Sequence, residues 1–194
     1  MTEKSEKQQR WNQRYQEKTI SEKPPAYVLS CNQNFLTKKG MALDLACGLG
    51  ANALFLANNG YQVTAIDYAD EALKQLSGYA QDHGLSIKTQ NIDLEKLSLD
   101  IGFYDVVVVS YYLQRDLFPF IFNSLKPGGI LFYQTYSGQC IDGNGPENPA
   151  FRLRQGELLS LCAEHSILYY REDGDCCIGQ DCFNGEAMIV AKRE

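Results

Sequence analysis

The stretch Met41 to Asn59 constrains this chain more than any other: a short apolar run, Met41–Ala46, enters Cys47-Gly48-Leu49-Gly50 and leaves as a helical pattern. A strand that turns through two glycines straight into a helix is the opening unit of a parallel α/β sheet. The same alternation recurs downstream. Tyr61–Ile66, Ser86–Asn91, Tyr104–Ser110, Ile130–Thr135, Ile167–Arg171 and Glu186–Ala191 are expected strands. Ala51–Asn59, Ala69–Asp82, Asp116–Leu125 and Gly156–Glu164 are expected helices. Val106-Val107-Val108-Val109 marks a strand buried on both faces. Residues 1–20 form a polar, partly helical leader, which Pro24-Pro25 breaks; residues 26–37 are an expected helix closed by Lys38-Lys39-Gly40. Lys126-Pro127-Gly128-Gly129 is an expected turn.

At 194 residues the chain is expected to be one domain, with residues 1–37 as a helical lid segment and 40–194 as the core. No apolar run approaches the roughly 20 residues of a membrane-spanning helix, and the polar start lacks a signal-peptide core. These features point to a cytoplasmic protein with no membrane partner. The net charge of −6, without a Lys/Arg cluster, argues against nucleic acid as a partner. Cys31, Cys47, Cys140, Cys162, Cys176, Cys177 and Cys182 are odd in number and irregularly spaced, so reduced thiols are expected rather than disulfides, and no metal site.

Gly48 and Gly50 allow a close backbone approach to a ligand, beside the free N–H groups of a helix start. Asp67 ends the second strand, where a carboxylate can accept from ribose hydroxyls. Gly48-Leu49-Gly50-Ala51-Asn52-Ala53 also fits the dinucleotide G-x-G-x-x-A pattern, so a nicotinamide or flavin oxidoreductase stays open. So does a plain strand-to-helix turn. Asp44 weighs against a dinucleotide, because a carboxylate before the loop repels a pyrophosphate but suits an α-ammonium. None of the twelve tyrosines has a lysine four residues later, so the usual short-chain dehydrogenase pair is missing.

The run Ala42-Leu43-Asp44-Leu45-Ala46-Cys47-Gly48-Leu49-Gly50, then Gly60-Tyr61-Gln62-Val63-Thr64-Ala65-Ile66-Asp67, resembles the class I S-adenosylmethionine-dependent methyltransferases. With the leader Trp11-Asn12-Gln13-Arg14-Tyr15 and Leu125-Lys126-Pro127-Gly128-Gly129, the chain is similar to the tellurite-resistance methyltransferase group. The resemblance implies a Rossmann-like three-layer sandwich with seven strands in the order 3-2-1-4-5-7-6, strand seven antiparallel. It implies S-adenosyl-L-methionine as cofactor, with Asp44, Ala46, Cys47, Gly48 and Gly50 around the methionine moiety. Asp67 would take the ribose, Tyr68, Asp93 and Leu94 the adenine, and Ser110 the sulfonium border. Trp11 and Tyr15 would close over the cofactor. Tyr112, Arg115, Phe151 and Arg152, with the Gly/Pro-rich loop 137–150 as a lid, would face a small-molecule acceptor. The implied reaction is in-line methyl transfer by a monomer or homodimer, with no catalytic base assigned. A cofactor-binding regulatory protein without turnover is the non-enzyme alternative. The chain departs from the group at 137–150 and 173–185, which leaves the acceptor open.

Overall fold

The computed structural model describes residues 3–20, 24–37, 39–97, 99–141, 143–175, 177, 179 and 182–194; Lys38, Asp142 and Cys176, which bear on expectations above, lie outside them. The strands are β1 (Met41–Leu45), β2 (Gln62–Asp67), β3 (Ile87–Asn91), β4 (Tyr104–Ser110), β5 (Leu125–Tyr136), β6 (Ser166–Asp173) and β7 (Glu186–Lys192). They form one sheet in the order β3-β2-β1-β4-β5-β7-β6, in which β7 runs antiparallel to both β5 and β6. The α/β fold and strand order implied by the resemblance are those of the structure.

Alternation along the central strands feeds two cores. Leu43, Leu45, Val107, Val109, Leu131 and Tyr133 pack on one side with Phe118, Ile121 and Phe122 of α5 (Phe118–Ser124) and Leu158 of α6 (Glu157–Leu161). On the other side Ala42, Val63, Val106, Val108 and Phe132 meet α2 (Tyr27–Cys31), α3 (Ala51–Asn58) and α4 (Asp70–Asp82). All four valines are buried, as their uninterrupted run requires. The helices after β1 and β4 therefore lie on opposite faces, opening a crevice between those two strands at the sheet's carboxyl edge.

Four local expectations are corrected. The helix expected over 26–37 stops at Cys31, because the Asn32 amide turns back to the Val28 carbonyl (3.0 Å) and a short 3-10 turn, Gln33–Phe35, follows. The helix expected over 116–125 begins as a 3-10 turn, Arg115–Leu117, and ends at Ser124, whose Oγ donates to the Ile121 carbonyl (2.7 Å). Lys126–Gly129 is not a turn between elements but a bulge inside β5: pairing passes from Tyr104–Leu125 to Val106–Ile130, with Gly128 at φ 78°. Finally, Cys177 and Cys182 are joined by a disulfide, their Cα atoms 5.6 Å apart and so within bridging reach. Cys31, Cys47, Cys140 and Cys162 are free thiols. No described helix is long and apolar enough to cross a membrane.

Candidate functional site

The loop after β1 is shaped by backbone conformations that few residues accept: Ala46, Gly48 and Gly50 all have positive φ (55°, 52° and 81°). A Cβ on Gly48 would sit 2.7 Å from the Tyr15 hydroxyl, and one on Gly50 would sit 2.5 Å from Leu76. The glycines thus serve two purposes, a left-handed turn and a close approach.

Two carboxylates frame this loop. Asp44 is only 1% exposed; its Oδ2 accepts from the Ala53 N–H (3.0 Å) at the start of α3, and its Oδ1 faces the Asn52 amide (3.5 Å). Burial pushes its carboxyl up to about 7 against those two hydrogen bonds, and the charge of Asp67 adds to the rise. Asp67, at the end of β2, accepts from the N–H of Gly48 (2.7 Å) and of Ala69 (2.8 Å), so its carboxylate braces the glycine loop. Burial raises its pKa as well, although its backbone hydrogen bonds resist. Cys47 is buried between them, and its thiol is held well above its usual range by desolvation and then by Asp44 and Asp67.

Helix α1 (Glu3–Gln16) lies across this edge. The Gln8 amide donates to the Tyr68 carbonyl (3.1 Å), Asn12 Oδ1 accepts from the Glu71 N–H (3.3 Å), and the Gln75 amide donates to the Tyr15 carbonyl (3.2 Å). Tyr15 lies over Gly48, while Trp11 stacks on Tyr15 with ring centres 6.1 Å apart and stays near the surface. Asp93 accepts from the Glu95 N–H (3.2 Å) at the turn Leu94–Lys96, with Leu94 buried beside it. The structure therefore gathers Tyr15, Asp44, Ala46, Cys47, Gly48, Gly50 and Asp67 at one place.

Residues 42–129 match the family model described as a methyltransferase domain. These residues form an S-adenosylmethionine-dependent methyltransferase domain, on a sheet of the Rossmann-like methyltransferase order. Among curated proteins, the chain is 30% identical over 138 residues to Hemagglutinin 1 of Eikenella corrodens, covering 67% of this chain and 45% of that protein. It is 34% identical over 112 residues to the ubiquinone biosynthesis O-methyltransferase of Rickettsia prowazekii, covering 55% and 44%. The chain spans about half the length of these curated relatives. Two solved structures share the fold: TehB from Haemophilus influenzae (20% identity, TM-score 0.71, 95% of this chain and 67% of that one) and a geranyl diphosphate C-methyltransferase from Streptomyces coelicolor A3(2) (16%, 0.68, 85% and 76%).

The cofactor of this family is S-adenosyl-L-methionine, and the residues suit it. The loop has an approach that a Cβ would fill, with one buried and one half-buried carboxylate behind it, Asp44 and Asp67. A zwitterionic, sulfonium-bearing ligand suits such a donor set; a pyrophosphate would meet repulsion.

One residue of this site is not singled out by the sequence. Asn52, buried in the first turn of α3, donates to Ser110 Oγ (2.9 Å), faces Asp44, and accepts from the Ala26 N–H (2.8 Å). It ties β1, β4 and the segment before α2 together beneath the crevice. Its position in the G-x-G-x-x-A run was the available signal, but no local rule pairs it with Ser110.

The expected acceptor residues divide. Tyr112 has its hydroxyl on Gln114 (2.7 Å), and burial, then the charges of Glu95, Asp93 and Asp67, pushes its pKa up to about 12. Arg115 is committed elsewhere: Nε and Nη2 grip Glu157 (2.7 and 2.9 Å), and the rest bonds the carbonyls of Ala150 and Arg152. Arg152 is 3% exposed and donates to the carbonyls of Ser137, Gly138, Gln139, Asn144, Pro146 and Gly185, pinning the loop that the sequence suggested as a lid. Both arginines hold loop backbone with their guanidinium donors. Phe151 is 57% exposed.

Proposed function

We propose that this chain transfers the methyl group of S-adenosylmethionine to a small-molecule acceptor by in-line displacement. The observation that carries this reading is the acidic glycine loop at the carboxyl edge of β1, with Asp67 one strand away. When bound, the cofactor supplies the activated methyl and its own leaving group, so the protein's task is alignment and exclusion of water.

Each side chain then has a task its position supports. Asp67 takes the ribose hydroxyls with the carboxylate it already holds against Gly48. Asp44 lies behind the loop, where it offsets the α-ammonium, and Tyr68, Asp93 and Leu94 border the adenine. Ser110, held by Asn52 at the end of β4, borders the sulfonium. Tyr15 closes the edge from α1, with its phenol kept protonated by burial and then by the charge of Asp67. The acceptor enters over the ends of β4 and β5, beside the loop that Arg152 pins.

Thermal unfolding tests the reading. S-adenosylhomocysteine at a hundredfold excess over its Kd stabilises the folded state by about 2.7 kcal/mol, which raises Tm by about 5–10 °C for a chain of this size. NAD(H) and FAD leave Tm unchanged. A shift with either dinucleotide and none with S-adenosylhomocysteine would return the protein to the oxidoreductases.

A further inference from the structure

Past Ser110, the same edge of the sheet carries a second cluster that no role above uses. Tyr111, the residue after β4, is a bulky residue at φ 55°, a conformation that costs energy and is held by its N–H bond to the Gln134 carbonyl (2.8 Å). Its ring is 47% exposed, while its hydroxyl reaches Glu186 Oε2 (3.3 Å) and accepts from the Gln134 amide (3.1 Å). That amide also donates to Glu186 (2.8 Å) and is oriented by the Val28 N–H on Gln134 Oε1 (2.9 Å). Tyr136, paired with Glu186 across β5 and β7, sets its ring 5.2 Å from that of Tyr111 at 44°.

Glu186 is the unusual member. It is 6% exposed, and its hydrogen-bond partners are both neutral; among the described residues no lysine or arginine forms an ion pair with it. A carboxylate taken out of water without a counter-charge is costly, so an arriving cation gains what the fold has left unpaired. Two tyrosine rings tilted beside it suit an organic ammonium in particular. The neighbouring cations do not invite an anion instead. Arg152 lies over the Tyr136 ring, 5.2 Å from its centre, but its N–H groups are given to six backbone carbonyls. Arg14, which acts on Tyr136 from α1, is exposed to solvent.

We infer that Tyr111, Tyr136 and Glu186 form an acceptor subsite for an organic ammonium group, so that the small molecule methylated here carries an amine. This rests on the methyl-transfer reading and narrows it. An anionic acceptor would meet the charge of Glu186 at close range.

Calorimetry on the S-adenosylhomocysteine-saturated protein tests this with three probes of one shape: phenethylammonium, phenethyl alcohol and phenylacetate. The ammonium binds in the millimolar range and at least about 10-fold more tightly than the other two. Glu186→Gln removes that preference, with S-adenosylhomocysteine uptake as the folding control; if that control fails, Tyr111→Ala takes its place and weakens the ammonium about 10-fold. The inference is overturned if the alcohol or the anion binds as well, if the ammonium does not bind, or if the preference survives in the variant used. A native chain that takes S-adenosylhomocysteine but not the ammonium sinks this subsite alone; one that takes neither sinks the methyl-transfer reading too.

Discussion

Asp67→Ala lowers the affinity for S-adenosylhomocysteine by about 100-fold. Two charge-assisted hydrogen bonds from ribose hydroxyls at about 1.5 kcal/mol each account for two decades of Kd. The carboxylate also anchors the Gly48 N–H at 2.7 Å, so its removal loosens the turn that must meet the methionine moiety. Stability changes far less. Burial already raises the Asp67 pKa, so losing the charge recovers some desolvation cost while the Gly48 and Ala69 N–H groups lose a partner. Asp67→Asn keeps one acceptor oxygen and falls between, about 10-fold weaker than the native chain. Titration calorimetry reads both variants, and an unaltered Kd in Asp67→Ala removes Asp67 from the ribose.

The layout of strands was legible because it rests on short-range pattern. A valine run at 106–109 can be satisfied only between two apolar layers, and the glycine turn at 48–50 requires a strand before it and a helix after it. The order of the strands was not local information; it came with the family likeness. What the sequence could not express was pairing over long separations. Asn52 with Ser110, Gln134 with Glu186, and Arg152 with six carbonyls join segments that no spacing rule connects. The family likeness put Arg115 and Arg152 beside the acceptor, but it did not show that loop carbonyls with no helix or strand to satisfy them draw on these two side chains as donors. Cys177 and Cys182 illustrate the same limit, since thiol spacing says nothing of the 5.6 Å between their Cα atoms.

Asp44 makes cofactor uptake depend on pH in a direction opposite to stability. Its carboxyl is pushed up to about 7 by burial, against about 3.9 in an unfolded chain. Between those values the folded protein holds a proton that the unfolded chain has released, so the stability owed to this group declines as pH rises through the window. Binding runs the other way. An α-ammonium behind the glycine loop favours the ionised carboxylate, and only the ionised fraction is competent to receive it. That fraction climbs from about a tenth at about pH 6 to about nine tenths at about pH 8, which tightens the apparent Kd for S-adenosylhomocysteine about 10-fold. Asp67, raised by burial in the same sense, contributes any slope that remains when Asp44 is replaced. Asp44→Asn therefore binds more weakly at pH 8, with a flatter profile, and its ligand-free form unfolds at a higher temperature at neutral pH because a buried charge is gone. Calorimetry in two buffers of different ionisation enthalpy shows proton release on binding by the native chain near pH 6 and less by the variant. Superimposable pH profiles for the two would mean that the carboxylate is only a cap for α3, satisfied by Asn52 and Ala53 and indifferent to the ligand.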